Sequence, residues 1–119
     1  MPADSVDEHG LPLWPAPERN KEPIAAVLRS VLPAQGVLLE IASATGQHAL
    51  YFTQALPGWT LQPSDCDPEH LETLRRRVAH AANPRFLPPV ELDVTAEPPA
   101  LAPTAIYCAN MLHIAPWAA

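Results

Sequence analysis

Residues 40–48 read Glu40-Ile41-Ala42-Ser43-Ala44-Thr45-Gly46-Gln47-His48. They follow the apolar run Val37-Leu38-Leu39, and Gly46 opens a stretch in which apolar residues recur at helical spacing. A buried strand, a turn of small residues and a helix are therefore predicted in that order. Small side chains let backbone amides approach a bound molecule, and the amino end of a helix favours an anion.

The segments on either side of this stretch extend the same alternation of strand and helix. Helices are predicted between Asn20 and Pro33, from Gly46 to Leu56, and from an Asp67 cap to Asn83. Strands are predicted at residues 37–42, 59–62, 90–94 and 104–109. Strands separated by helices imply parallel pairing through right-handed crossovers, so the fold class is an α/β open parallel sheet.

The composition fits one packed domain preceded by an arm. The chain has 119 residues, of which 48% are hydrophobic and 16 are proline, and the prolines fall between apolar runs. Residues 1–19 show no periodicity and are predicted to form an extended amino-terminal arm, with residues 20–119 as the domain portion. A net charge of −6 argues against nucleic acid or an anionic membrane as the main partner.

The sequence also limits the expected cellular location and metal content of the protein. No apolar stretch approaches the roughly 20 residues of a membrane-spanning helix, and the acidic first residues do not resemble a secretion signal. Cys66 and Cys108 are too few and too widely spaced for a zinc site or a disulfide scaffold. The sequence therefore predicts a cytoplasmic protein without a metal, and it leaves the oligomeric state open.

The spacing of small residues in the turn separates two classes of cofactor. A dinucleotide fingerprint needs small residues at relative positions 0, 2 and 5, and counting from Ala42 places Gln47 at position 5. Gly46 is at position 4, and an acid followed by small residues at 0, 2 and 4 resembles class I S-adenosylmethionine-dependent methyltransferases. A nicotinamide-dependent oxidoreductase is thus a disfavoured alternative.

Two later acids agree with the methyltransferase resemblance. Asp65 follows the second predicted strand, where a carboxylate can accept both hydroxyls of a ribose. Asp93 lies near the end of the third strand, where the methyltransferase pattern has a residue that accepts the adenine amino group. The turn and both acids occur in order at the carboxyl ends of successive strands.

Longer segments resemble one methyltransferase-like family of unknown function, the family that includes methyltransferase-like protein 26. The similar segments are residues 18–24, 40–49, 62–65, 92–95 and 110–117, and the resemblance spans residues 11 to 119. It implies a Rossmann-like class I methyltransferase fold with strand order 3-2-1-4 and S-adenosyl-L-methionine as cofactor. The resemblance does not identify the methyl acceptor.

The resemblance also indicates site residues. Those expected to hold the cofactor are Arg19, Asn20, Glu40, Ala42, Ser43, Ala44, Gly46, Asp65, Asp93 and Asn110. Asn110 and His113 follow the fourth strand, where the methyl acceptor is expected, and are the candidate catalytic residues. The Asn110 amide can hold the acceptor or the methionine part of the cofactor, and His113 can act as a general base. A turn asparagine and a structural histidine are the alternatives.

Two departures from the family pattern keep further alternatives open. Ala44 stands where the family has glycine, and if φ is positive there, alanine costs about 1 kcal/mol. Family members continue through three more strands, so the sequence is expected to be a fragment whose fourth strand is an uncovered apolar edge. A non-catalytic S-adenosylmethionine-binding or interaction module is therefore a second alternative to a methyltransferase.

Overall fold

The computed structural model describes residues 5–93 and 103–108. Over those residues the elements are β1 (Ser5–Val6), β2 (Pro12–Leu13), α1 (Pro15–Val31), β3 (Gly36–Glu40), α2 (Gln47–Ala55), β4 (Trp59–Asp65), α3 (Pro68–Ala81), β5 (Val90–Glu91) and β6 (Ala105–Tyr107). No helix in this part of the chain is long and apolar enough to cross a membrane.

The main sheet confirms the predicted fold class. Four strands lie in the order β5-β4-β3-β6, and every pairing in this sheet is parallel. Numbered along the chain without the short β1 and β2, this is the order 3-2-1-4. The carboxyl ends of the two central strands, β3 and β4, are in register with Glu40 opposite Pro63. The residues that follow both strands are therefore brought to one edge of the sheet.

The apolar faces of the helices explain why they pack on this sheet. The main core contains Ala25 of α1, side chains of the two central strands and of α2, and Phe86: Ala25, Leu38, Ala49, Phe52, Leu56, Trp59, Leu61 and Phe86. Helix α3 contributes two further buried leucines, Leu71 and Leu74. Burial of this apolar area is the main stabilising contribution, and it fixes the sheet edge that carries the polar turn.

The amino-terminal segment differs from the prediction. Helix α1 begins at Pro15, not at Asn20, because a proline is tolerated in the first turn, where its missing N–H has no helical partner. Strands β1 and β2 pair as an antiparallel hairpin, so the described part of residues 1–19 is a hairpin and the start of a helix, not an extended arm.

Candidate functional site

The turn between β3 and α2 has an unusual backbone. Ala42, Ala44 and Gly46 have φ angles of 57°, 53° and 79°, all in the left-handed region that favours glycine. The positive φ that the family comparison implies for Ala44 is therefore present. Left-handed alanines cost free energy, so surrounding contacts must hold this turn in place.

Backbone hydrogen bonds fasten the turn to β4. The Ser43 N–H donates to the Ser64 carbonyl at 2.7 Å, and the Ala44 N–H donates to Asp65 Oδ2 at 2.9 Å. The Gly46 N–H donates to the Ser43 carbonyl at 2.9 Å. These amides are therefore engaged within the protein, whereas the N–H groups in the first turn of α2 have no partner within the helix itself. Gly46 supplies no side-chain cap to that turn.

Glu40 ends β3 beneath this turn and is 2% exposed. Burial raises the pKa of its carboxyl group to about 8, and the nearby charge of Asp65 also raises it. Its Oε1 atom has no hydrogen-bond partner among the described residues. A buried carboxyl oxygen without a donor is costly, and a cationic or hydrogen-bonding ligand group would stabilise it.

Asp65 ends β4 and lies close to the turn. Its Oδ2 accepts the Ala44 N–H, and its Oδ1 accepts the Asp67 N–H at 3.0 Å. His70 Nδ1 lies 3.3 Å from Oδ2. The Asp65 carboxylate therefore joins the turn after β3 to the turn after β4, and it lies 6% exposed at the edge where both strands end.

Asp93 lies near the same edge. It follows β5, which pairs with β4 at Ser64 and Asp65. Partial burial raises the pKa of the Cys66 thiol, and the carboxylates of Asp65 and Asp93 raise it further. Both acids therefore act on one thiol, which indicates that the fold brings them to one region.

Residues 12–119 match the family described as "Protein of unknown function (DUF938)". The chain belongs to this family. The match covers every described element except β1, so the turn, Glu40, Asp65 and Asp93 all lie within it.

Solved structures similar to the DUF938 chain include methyltransferases. The glycopeptide N-methyltransferase MtfA matches with a TM-score of 0.61 and 20% identity over 72% of this chain. The CurJ carbon methyltransferase matches with a TM-score of 0.56 and 21% identity over 82%. YjhP from E. coli matches with a TM-score of 0.66 and 16% identity over 83%. At these identities the likeness shows a methyltransferase-like Rossmann fold.

The DUF938 chain covers a minority of these proteins' lengths: 38% of MtfA, 39% of YjhP and 31% of CurJ. A further matching structure is MtfA complexed with sinefungin, with a TM-score of 0.61 and 17% identity over 75% of this chain.

Two predicted site residues of the DUF938 chain lie on α1 and not in the turn. Arg19 and Asn20 are exposed on α1, and across the described residues no side-chain hydrogen bond or ion pair joins either to the turn. The neighbouring Glu18 does reach α2, because its Oε2 accepts the Gln47 amide at 2.7 Å. Asn110 and His113 lie outside the described residues.

Sequence reasoning missed a polar group between α2 and β6. The Tyr107 hydroxyl lies 3.3 Å from His48 Nδ1. Burial lowers the pKa of His48, whereas burial and then the charge of Glu40 raise the pKa of Tyr107. His48 is the last residue of the segment 40–48, but its partner belongs to the fourth strand of the sheet, which the local sequence cannot reveal.

Among the residues described, no group of three or more histidine, cysteine or acidic side chains could hold a metal ion. The described groups at and near the edge include buried carboxyl groups, backbone amides and the His48–Tyr107 pair. Such a set can bind a molecule that carries hydroxyl and ammonium groups.

Proposed function

We propose that this DUF938 domain binds S-adenosylmethionine and transfers its methyl group to an acceptor. One observation carries the proposal. Two buried carboxyl groups, Glu40 and Asp65, end neighbouring parallel strands on either side of a left-handed turn that leads into an uncapped helix. In open α/β sheets this is the edge at which ligands bind. The motif segments that resemble the family of methyltransferase-like protein 26 support the same assignment.

The residues fit the cofactor by chemistry. The unpaired buried oxygen of Glu40 suits the cofactor's ammonium group, and the carboxylate of Asp65 suits the two ribose hydroxyls. Asp93 is proposed to accept the adenine amino group. The bound cofactor supplies an electrophilic methyl group on a sulfonium, so the protein's part is to hold donor and acceptor in line.

The roles of the remaining residues are part of the proposal. Asn110 is proposed to hold the acceptor or the methionine part of the cofactor by its amide. His113 is proposed to remove a proton from the acceptor, because the ordinary pKa range of histidine suits a general base. Arg19 and Asn20 are proposed to contact the cofactor from the beginning of α1.

Calorimetric titration with S-adenosylmethionine, S-adenosylhomocysteine and NAD tests the proposal. We expect both adenosyl ligands to bind, NAD not to bind, and Glu40→Gln to weaken adenosyl binding about tenfold, because glutamine cannot ionise to pair with the ligand's ammonium group. Glu69→Gln is the matched control, because Glu69 is an exposed acid in the first turn of α3, and it should bind like the wild type. Binding of NAD alone would favour the oxidoreductase alternative and overturn the proposal.

The non-catalytic alternative has its own support in the structure. Two alanines occupy left-handed positions in the turn, and the amides of Ser43, Ala44 and Gly46 are engaged within the protein. Both features weaken a ligand cradle without removing it. Donor binding with no transfer of a labelled methyl group to any component of a cell extract would favour this module over an enzyme.

A further inference from the structure

Arg77 is buried although it belongs to a run of three arginines on α3. It is 3% exposed, whereas Arg75 and Arg76 are exposed. A buried guanidinium needs partners for its charge and its N–H groups, because an unpaired buried charge is strongly destabilising. The identity of its partners therefore shows what this side chain connects.

The partners of Arg77 lie on two separate parts of the chain. Its Nε donates to the Thr45 carbonyl, in the turn after β3, at 2.7 Å. Its two terminal nitrogens bond to the amino-terminal hairpin: one pairs with Asp7 Oδ2 at 3.1 Å, and the other donates to the Pro12 carbonyl at 2.7 Å. One planar group thus ties the hairpin to the turn.

Gln47 forms a second connection between the same two regions. Its Oε1 accepts the Trp14 N–H at 2.8 Å and the Thr45 hydroxyl at 2.6 Å. Its Nε2 donates to the Trp14 carbonyl at 3.1 Å. Both Gln47 and Arg77 therefore contact Thr45 as well as the segment before α1, so two side chains connect the turn to that segment.

The hairpin is built to present these partners. Asp7 Oδ1 accepts the backbone N–H groups of His9 and Leu11 at 2.8 and 2.9 Å, which leaves Oδ2 for Arg77. Gly10, at φ 77°, allows the reversal, and Leu11 is buried against the domain. The segment is therefore an ordered part of the domain that contacts the turn through Arg77.

We propose that Arg77 is a positioning residue of the site, fixing the Thr45 carbonyl and making ligand binding at the turn depend on the docked hairpin. The peptide it holds immediately precedes Gly46, whose left-handed φ sets the direction of the first turn of α2. The ligand named for this turn, an adenosyl cofactor, rests on the proposed function. The structural link between the hairpin and the turn is independent of the proposed function.

Arg85 provides a matched control. Its NH1 also donates to backbone carbonyls, those of Leu56 at 3.2 Å and Trp59 at 2.9 Å. The Leu56 carbonyl closes α2 and the Trp59 carbonyl begins β4, so both lie away from the carboxyl ends of β3 and β4 that the turn follows. Arg85→Met therefore removes a comparable structural arginine without touching the proposed site.

The first measurement needs no ligand. Amide hydrogen exchange is compared in wild type, Asp7→Asn and Arg85→Met, with the Ala44 and Gly46 amides as readout. We expect Asp7→Asn, which weakens one partner of Arg77 at the hairpin, to speed exchange of both amides about tenfold. Arg85→Met should leave them unchanged. If these two amides exchange in Asp7→Asn at the same rate as in the wild type, the proposed link between the hairpin and the turn is wrong.

The second measurement adds S-adenosylhomocysteine. Coupling is reciprocal, so the ligand should slow amide exchange in residues 7–14, and Asp7→Asn should weaken its affinity about fivefold. Arg85→Met should bind like wild type. The link is tested with Asp7→Asn and not with Arg77→Met, because Arg77→Met leaves buried carbonyls unpaired and disturbs folding itself.

The outcomes separate the two proposals. A wild type that binds no S-adenosylhomocysteine overturns the proposed function, and the exchange of Ala44 and Gly46 then still decides the link. A wild type that binds it, together with an Asp7→Asn variant of unchanged affinity, overturns the positioning role of Arg77 alone.

Discussion

The two turns that follow the central strands β3 and β4 differ in length, in backbone conformation and in how they cap the next helix. The turn after β3 spans residues 41–46, is largely buried, has three residues with positive φ and gives α2 no side-chain cap. The turn after β4 consists of Cys66 and Asp67. Asp67 caps α3 by accepting the Glu69 N–H at 2.8 Å, and Pro68 follows in the first helical turn. Both turns lie at the carboxyl edge of the central strands.

The contrast singles out the turn after β3 as the candidate ligand site. The short turn contains what helix stability requires, namely a capping acid and a proline at the first position. The long turn lacks both, and its left-handed alanines cost free energy that Asp65, Ser64 and Arg77 offset by hydrogen bonds. A region that breaks local rules while its neighbour obeys them is where a binding site is expected.

The largest expected effect comes from Asp65, because its carboxylate serves both turns. Asp65→Ala removes the acceptor of the Ala44 and Asp67 amides. Bonds to a charged acceptor contribute about 1.5–3 kcal/mol each, so we expect the free energy of unfolding in urea to fall by roughly 3–5 kcal/mol. Calorimetry should detect no binding of S-adenosylhomocysteine.

Asp67→Ala is the matched control for Asp65→Ala. It removes the cap of α3 and should lower the free energy of unfolding by about 1 kcal/mol, with ligand affinity unchanged. If the two variants are equally stable and bind the ligand equally well, the two turns do not differ in the way proposed.

The second effect is the pH dependence that Glu40 imposes. Burial raises its pKa from 4.5 to about 8, so between these values the folded protein binds more protons at this site than the unfolded chain. Stability from this group is present below the unfolded pKa and is lost as pH rises toward 8, with a slope of up to about 1.4 kcal/mol per pH unit. Urea unfolding at pH 6 and pH 8 should show a fall of about 2 kcal/mol.

Glu40→Gln tests the assignment of this slope, because glutamine keeps the shape and removes the titration. The variant should lose the fall between pH 6 and pH 8. Glu69→Gln, at an exposed acid for which no such burial exists, should keep it. An unchanged slope in Glu40→Gln would show that other groups cause it.

The same contrast explains what the sequence could predict. The strands of the sheet follow from short apolar runs, and the Asp67 cap follows from an acid directly before a proline, so both are local signals. The strand order 3-2-1-4 follows from family resemblance, and the structure confirms it. A positive φ at Ala44 could be considered from the sequence only through the family resemblance, whose pattern has glycine at this position, and the structure gives a φ of 53° there.

The amino-terminal hairpin could not be predicted by such means. Its prolines indicate an extended segment, whereas its structure depends on Arg77, which is 70 residues away from Asp7 in the chain. Arg77 itself lies in a run of three arginines, a pattern typical of a solvated helix end. Pairing between distant residues leaves no local signal, so the contacts that hold the turn emerge only from the folded chain.

The smallest effect compares two left-handed alanines. Ala44 in the turn and Ala82 at the end of α3 have φ angles of 53° and 50°. Glycine relieves the strain at either position but loses more chain entropy on folding, so we expect each substitution to raise the free energy of unfolding by only about 0.5 kcal/mol.

If Ala44→Gly and Ala82→Gly change the stability equally, any difference in their ligand affinity is not caused by a difference in stability. Ala44→Gly also removes a buried methyl group from the backbone of the proposed ligand site, so it should tighten S-adenosylhomocysteine binding two- to fivefold. The exposed Ala82 lies outside the proposed site, so Ala82→Gly should bind the ligand like the wild type. Equal affinity in both variants would mean that the left-handed turn is a structural feature of this sheet and not part of a ligand site.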